Sequence, residues 1–213
     1  MRVAALAFLS LAAAAPATAP KLRFDQAFST VGEPARVHYQ VAYRANGAVH
    51  RLEVWRDGDR RVKRVTDGAI ASFATHQPRD AGYALTVLDR RRRISTRVDR
   101  VNLYRVGQFT DWFDLGHGLR HPKAAYTLVA ASAPAGVPAP LAPCRWYDLT
   151  QGGVATHICW SDSEHLPLIL ADAQGQPVWR VAALDHRPLP ASLFVVDDRG
   201  YVRNDANSDI SKD

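Results

Sequence analysis

The chain has 213 residues, with 27 Lys and Arg against 21 Asp and Glu, and a formal charge of +6. Its aromatic and aliphatic content is that of a globular protein, and its length suits one domain with a real core. Beyond the N-terminus no segment is apolar enough to span a membrane.

The chain opens "MRVAALAFLSLAAAAPATAP". Arg2 is a short positive region, residues 3–15 form an apolar stretch, and Ala15-Pro16-Ala17 has the small-residue spacing a signal peptidase reads. The expected organisation is a signal peptide over residues 1–17, one domain over residues 18–204 and a polar tail over residues 205–213. No cysteine lies near the cleavage region, so lipidation is not expected. The mature protein is read as exported and soluble, with the periplasm as its location. Export makes nucleic acid a poor partner for the basic chain.

After a short helical segment, "FDQAFSTVGEPAR", the pattern is one hairpin after another. In "VHYQVAYRANGAVHRLEVW", Val37, Tyr39, Val41 and Tyr43 alternate with polar residues, and Asn46-Gly47 is a strong hairpin signal. Folding there pairs Tyr39 with Val54 and Val41 with Leu52, so the apolar faces agree. A turn at Asp57-Gly58-Asp59 sets Val54 opposite Val62 and Glu53 opposite Lys63. A turn at Asp67-Gly68 then sets Val65 opposite Ile70. Further strands are expected at 83–88, 94–105, 126–131, 144–150, 154–161, 166–170, 177–184 and 192–196.

"QFTDWFDLGHGLRHPK" breaks the β pattern. Phe109, Trp112, Phe113 and Gly116 recur at helical spacing, Thr110 is a reasonable N-cap, and Pro122 stops the helix. This aromatic helix either plugs a curved sheet as core or forms a lid over an apolar ligand cavity, with Phe109, Trp112 and Phe113 facing the sheet. "APAGVPAPLAP" is a Pro/Ala loop. Next comes "PCRWYDLTQGGVATHICWSD", which holds both cysteines about a Gly-Gly turn. In an oxidising compartment Cys144 and Cys159 are expected to form a structural disulfide across that hairpin. The spacing is neither Cys-x-x-Cys nor that of a zinc site.

Charge is uneven. Residues 50–105 hold 14 Lys and Arg against 7 Asp and Glu. The meander puts Arg51, Arg61 and Lys63 on the outer face of the sheet and Arg90, Arg91, Arg92 and Arg93 at one rim. That rim is suited to an anionic membrane surface or an acidic envelope protein, and the four arginines are expected to be dispensable for folding. The alternative is a solvated sheet face.

The exported meander with an inserted helix resembles the bacterial lipoprotein-carrier superfamily. The C-terminal third carries most of the resemblance: a paired-Cys hairpin ending in "CWSDSEHLPLIL", then "VWRVAAL", then "SLFVVDDRGYV". The resemblance implies a mainly β fold. It would be a single curved antiparallel sheet of about eleven strands, an open or half barrel, with one or two short helices covering its concave face. It also implies an apolar cavity. The basic residue that marks the carrier chaperone is matched to no single position here.

Enzyme signatures are sparse. His117 and His121 stand i,i+4 and are the weak metal candidates, but no Glu base lies between them. There is no Gly-x-Ser-x-Gly and no phosphate loop, and no cofactor is expected. The expected function is non-enzymatic: binding a lipid, acyl chain or other apolar or amphipathic ligand in the concave face. The alternatives are an interaction module of the same fold with a filled core, and a small metal-dependent enzyme using His117 and His121.

Overall fold

The computed structural model describes residues 21–76, 82–98 and 112–205. The signal segment, Phe109 and Thr110, residues 99–105 of the expected sixth strand and residues 206–213 of the tail lie outside the described residues. Twelve strands build one sheet: β1 Arg36–Ala45, β2 Ala48–Asp57, β3 Arg61–Thr66, β4 Ile70–His76, β5 Tyr83–Asp89, β6 Ile94–Val98, β7 Tyr126–Ala131, β8 Arg145–Gln151, β9 Val154–Ser161, β10 Leu166–Ala171, β11 Pro177–Asp185 and β12 Val202–Asp205. Their spatial order is β12-β6-β5-β4-β3-β2-β1-β11-β10-β9-β8-β7. The sheet is therefore unclosed, with β12 and β7 at its edges. Among the described residues two short α-helices, α1 (Phe24–Ala27) and α2 (Trp112–His117), accompany it. The curved, open, mainly β architecture is thus as expected, apart from an edge strand, β12, that runs parallel to β6.

The hairpins follow from their turns. Asn46 and Gly47 both adopt positive φ, 50° and 77°, and the two-residue turn sets Tyr39 against Val54 and Val41 against Leu52. At the next turn the expected pairing is off by two residues. The loop closes at Asp57 against Arg61, so Val54 faces Arg64 and Val62 faces Arg56. The Asp57 carboxylate accepts from both Arg60 and Arg61, which fixes the closure one residue later than expected. A slip of two leaves every side chain on its expected face. The third turn differs by one residue. It closes at Thr66 against Ile70, so Val65 pairs with Ala71 and points outward while Ile70 points inward. The expected strand at 192–196 is a 3-10 turn, Ala191–Phe194, and the segment regains strand geometry only at β12. Pro188 and Pro190 just upstream remove two backbone donors from any ladder there.

One face of the sheet, here called inner, carries Val37, Tyr39, Val41, Leu52, Val54, Val62 and Val181, which pack against Leu115 of α2. Farther along the same face, Tyr147, Leu149, Ile158 and Trp160 pack against Phe24 and Phe28 of the α1 segment. The outer face is covered in two places. Val196 and Tyr201 of the C-terminal segment pack on Phe73, Leu88 and Trp55. The Pro/Ala loop brings Val137, Ala142 and Cys144 to the cluster that contains Cys159 and Ile169. Cys144 and Cys159 are disulfide-bonded, with Cα atoms 5.4 Å apart. Because the turn is Gly152-Gly153 and Arg145 pairs with Trp160, the two half-cystines sit diagonally across the β8–β9 ladder.

Candidate functional site: a charged cluster beneath α2

Strand alternation places a cation inside the sheet. In β2 the inner positions are Leu52, Val54 and Arg56, and Arg56 is fully buried. In β3 the cross-strand partners of Val54 and Arg56 are Arg64 and Val62, so Arg64 lies on the same face. Sequence reading had placed this band of charge outside the sheet. Arg51, Lys63 and Arg61 are outside, but Arg56 and Arg64 are not. Both have the parity of Val54, and that parity was the available signal.

α2 lies across these arginines. Tyr39 Oη donates to Gly116 O at 3.2 Å, and Arg64 Nη1 donates to Leu115 O at 3.4 Å. The carbonyl end of the helix, where partial negative charge collects, therefore meets a phenol and a guanidinium from the sheet. The helix stops at His117. Gly118 follows with φ +72° and donates its N–H to Asp114 O at 2.8 Å. Expectation had carried the helix to Pro122. The left-handed glycine ends it four residues earlier.

That termination decides the fate of the two histidines. His117 is buried, and both ring nitrogens are engaged by protein atoms. Nδ1 is 3.0 Å from Phe113 O, while Nε2 contacts Arg56 and lies 2.8 Å from Glu33 Oε2. His121 lies beyond the helix and turns to Asp25, 3.1 Å away. The two weak metal candidates are thus each engaged by other protein groups. Among the described residues no group of three His, Cys, Asp or Glu side chains is placed to hold a metal ion.

Glu33 belongs to the loop after α1 and reaches the cluster from there. Its Oε2 accepts from Arg56 Nη1. Burial pushes the Glu33 carboxyl up, but the His117 hydrogen bond and the Arg56 charge outweigh it and hold its pKa below the usual carboxylate range. Burial is the largest influence on His117, and despite Glu33 it holds the imidazole pKa below its ordinary value. A carbonyl oxygen only accepts, so the neutral ring carries its proton on Nδ1 and offers the Nε2 lone pair to Arg56. In that neutral state Nε2 and Glu33 Oε2 are both acceptors, with the Arg56 N–H groups between them; the hydrogen bond from His117 to Glu33 forms when the ring is protonated and Nε2–H donates. On the far side of the guanidinium, Nε and Nη2 are buried and have no hydrogen-bond partner among the described residues. Neither Glu33 nor Arg56 was singled out from the sequence. Glu33 sits in an irregular loop 84 residues from His117, with no spacing to reveal it.

The expected lid residues lie on this face. Trp112 stacks on His76 at 5.1 Å and meets Tyr83 edge-on at 5.6 Å. Phe113 packs among Phe24, His117, His121 and Trp160. Phe109 lies outside the described residues. A cleft of about 760 Å³ lies elsewhere, on the outer face, lined by Gln40, Ala42, Arg51, Glu53, Val65 and Asp67 among others. Its mixed polarity does not make it an acyl cavity.

The four rim arginines follow β5 and are not equivalent. Arg93 Nε and Nη2 donate to Gly200 O and Arg199 O, and its guanidinium lies over the Tyr201 ring. Arg90 Nη1 donates to Gly68 O. Arg91 and Arg92 donate backbone N–H groups to Asp89 Oδ1, and Arg92 makes only a loose ion pair with Asp89, at 3.9 Å.

No family model matches the chain, and no curated protein matches it. Among solved structures, one described as the structure of PNGF-II in a P21 space group is similar at 8% identity with a TM-score of 0.29. The alignment covers 83% of this chain and 32% of that one, so the chain spans about a third of that structure. A likeness this slight carries no argument about fold or function.

Proposed function

We propose that the protein is an exported, non-enzymatic binder of an apolar or amphipathic ligand, with α2 as the displaceable cover of the inner face. The observation that carries this reading is the nature of the contact under α2. The helix is only six residues long, and it rests on Arg64 and, through its own His117, on Arg56 and Glu33, as well as on apolar side chains. Ion pairs and single hydrogen bonds to a short helix contribute little net stability, because water replaces them when the helix lifts. Lifting it uncovers Val54, Val62, Tyr83 and Leu85, an apolar floor suited to an acyl chain, at about 0.8 kcal/mol per CH₂ buried. The disulfide fits an oxidising compartment, and the lipoprotein-carrier resemblance points the same way, to lipid or lipoprotein handling in the periplasm.

Native mass spectrometry of the protein isolated from a bacterial periplasm tests the reading. Co-purified lipid that is lost on adding competing fatty amphiphile is the expected result. Ligand-free protein that also fails to take up any amphiphile overturns it.

A second reading is an interaction module whose inner face stays filled. The close packing of Leu115 and Trp112 favours it, as does the open outer-face cleft, whose lining carries Arg51, Glu53 and Asp67. It predicts that Trp112→Ala lowers stability and that no amphiphile binds.

A further inference from the structure

We propose that Arg56 is the recognition point for an acid headgroup: a carboxylate or phosphate of an amphipathic ligand taken through its Nε–H and Nη2–H. The inference rests on the reading that an amphiphile enters beneath α2. Its own basis is the chemistry left over at one side chain. A guanidinium presents its donors as edges, and Nε–H with the neighbouring Nη2–H forms the side-on edge, two parallel donors spaced for two oxygens of one acid group. In Arg56 the other corner is spent: Nη1 serves Glu33 and His117. Among the described residues the side-on edge has no partner at either nitrogen, in a residue with no exposed surface. Two buried cationic donors left unmade on the same edge are unusual, since buried polar groups are nearly always paired.

The surroundings suit an occupant that arrives with helix movement. α2 sets its smallest residue, Gly116, over the arginine stem, where even a Cβ would lie 3.3 Å from Arg56 Cδ. Glu33, which belongs to the loop after α1 and not to α2, holds Arg56 Nη1 from the opposite side, so the edge stays oriented when α2 moves. The apolar floor of Val54, Val62 and Leu85 continues from Arg56 across the inner face. Head at Arg56 and chain along that floor is the arrangement the side chains favour.

The test uses the full mature protein and three probes with the same alkyl chain: hexadecanoate, hexadecyl phosphate and hexadecanol, with inorganic phosphate as a chain-free arm. Binding is read by calorimetry near neutral pH. One or both acids should bind at least about tenfold tighter than the alcohol, as charge-assisted pairing of a buried guanidinium requires. Which acid gains more identifies the headgroup. Arg56→Gln should erase the preference while keeping the alcohol's affinity, provided its circular dichroism stays native; the acid–alcohol comparison on unaltered protein stands even if that variant fails to fold. Equal affinity for acid and alcohol overturns the role of Arg56 and leaves ligand binding standing. Binding of inorganic phosphate as tight as that of hexadecyl phosphate overturns the amphiphile assignment. No binding by any of the three alkyl probes removes the underlying reading and this inference with it.

Discussion

Gly118, the residue that ends α2, lies against the indole of Trp179 in β11 so closely that a single added carbon would run into the six-membered ring. Trp179 is itself fixed, its Nε1–H donating to Pro167 O at 3.0 Å. The end of the covering helix is thus seated on the sheet by the absence of a side chain. Gly118→Ala must adopt φ near +72° and displace the indole. The backbone cost is about 1–2 kcal/mol and the overpacking about 1–3 kcal/mol. Urea unfolding should show a loss in that combined range. Trp179→Ala destabilises on its own by leaving a void, but in the double variant the two losses should add to less than their sum. Strict additivity would show that the two residues do not meet.

The disulfide gives a second prediction. Cys144 anchors the Pro/Ala loop to the outer face over Cys159 and Ile169. Replacing both cysteines with serine should cost roughly 3 kcal/mol, the chain-entropy value for a loop of this size. Thiol labelling of denatured, non-reduced protein should find no free thiol. Two labelled cysteines, or an unaltered urea midpoint in the double variant, would contradict the expected result.

The charged cluster makes stability depend on pH with a definite sign. His117 has a folded pKa below its unfolded value of about 6.5, so the unfolded chain binds the proton first as pH falls. Stability is present above that value and declines below it. Glu33 is also lowered, and its contribution is present above about 4.3 and is lost as pH falls farther. The two act in the same direction, in successive windows. His50, raised by Asp67, acts oppositely: its contribution is present in acid and fades as pH rises. The diagnostic quantity is therefore a difference between proteins. Between pH 7.5 and 5.5 the unaltered protein should lose more of its urea midpoint than His117→Gln does, and parallel profiles would exclude His117 as the source.

Much of the sheet was legible because its signals are local. Asn46-Gly47 and Gly152-Gly153 demand positive φ, and the alternation from Val37 to Tyr43 fixes a face within a few residues. Where register depended on how a side chain braces a turn, as Asp57 does with Arg60 and Arg61, the expected closure missed by one residue. The candidate site was less legible. Arg56 shares the parity of Leu52 and Val54, yet a charged residue at the end of a strand is ordinarily taken to face water. What brings it inside is Glu33, from a loop, and His117, from a helix whose end is set by contact between Gly118 and Trp179. These are relations among distant segments, and no spacing in the chain encodes them.

The rim arginines yield the last prediction, and the structure alters its form. Replacing all four by Gln was expected to leave folding nearly intact. Arg93 now stands apart, because it holds the strap that crosses the outer face. It donates to Gly200 O and Arg199 O, covers Tyr201, and accepts at its own carbonyl from Val202 N–H at 2.8 Å, the first rung of the β6–β12 ladder. Arg93→Gln should lower stability by about 1–2 kcal/mol, from a lost cation–π contact and lost hydrogen bonds to carbonyls. It should also speed amide exchange in residues 199–205. Among the described residues, Arg91 and Arg92 make no such contacts through their guanidinium groups beyond the loose Asp89 pair, and their contributions to folding should be near zero. If the rim meets an anionic membrane, the Arg91→Gln, Arg92→Gln double variant should weaken co-sedimentation with phosphatidylglycerol vesicles by about 1 kcal/mol per charge. That loss should shrink as salt shortens the screening length. Equal binding by the double variant and the unaltered protein at low salt would reduce these two arginines to solvated turn residues, while the effect on the strap, which depends on Arg93 alone, would stand.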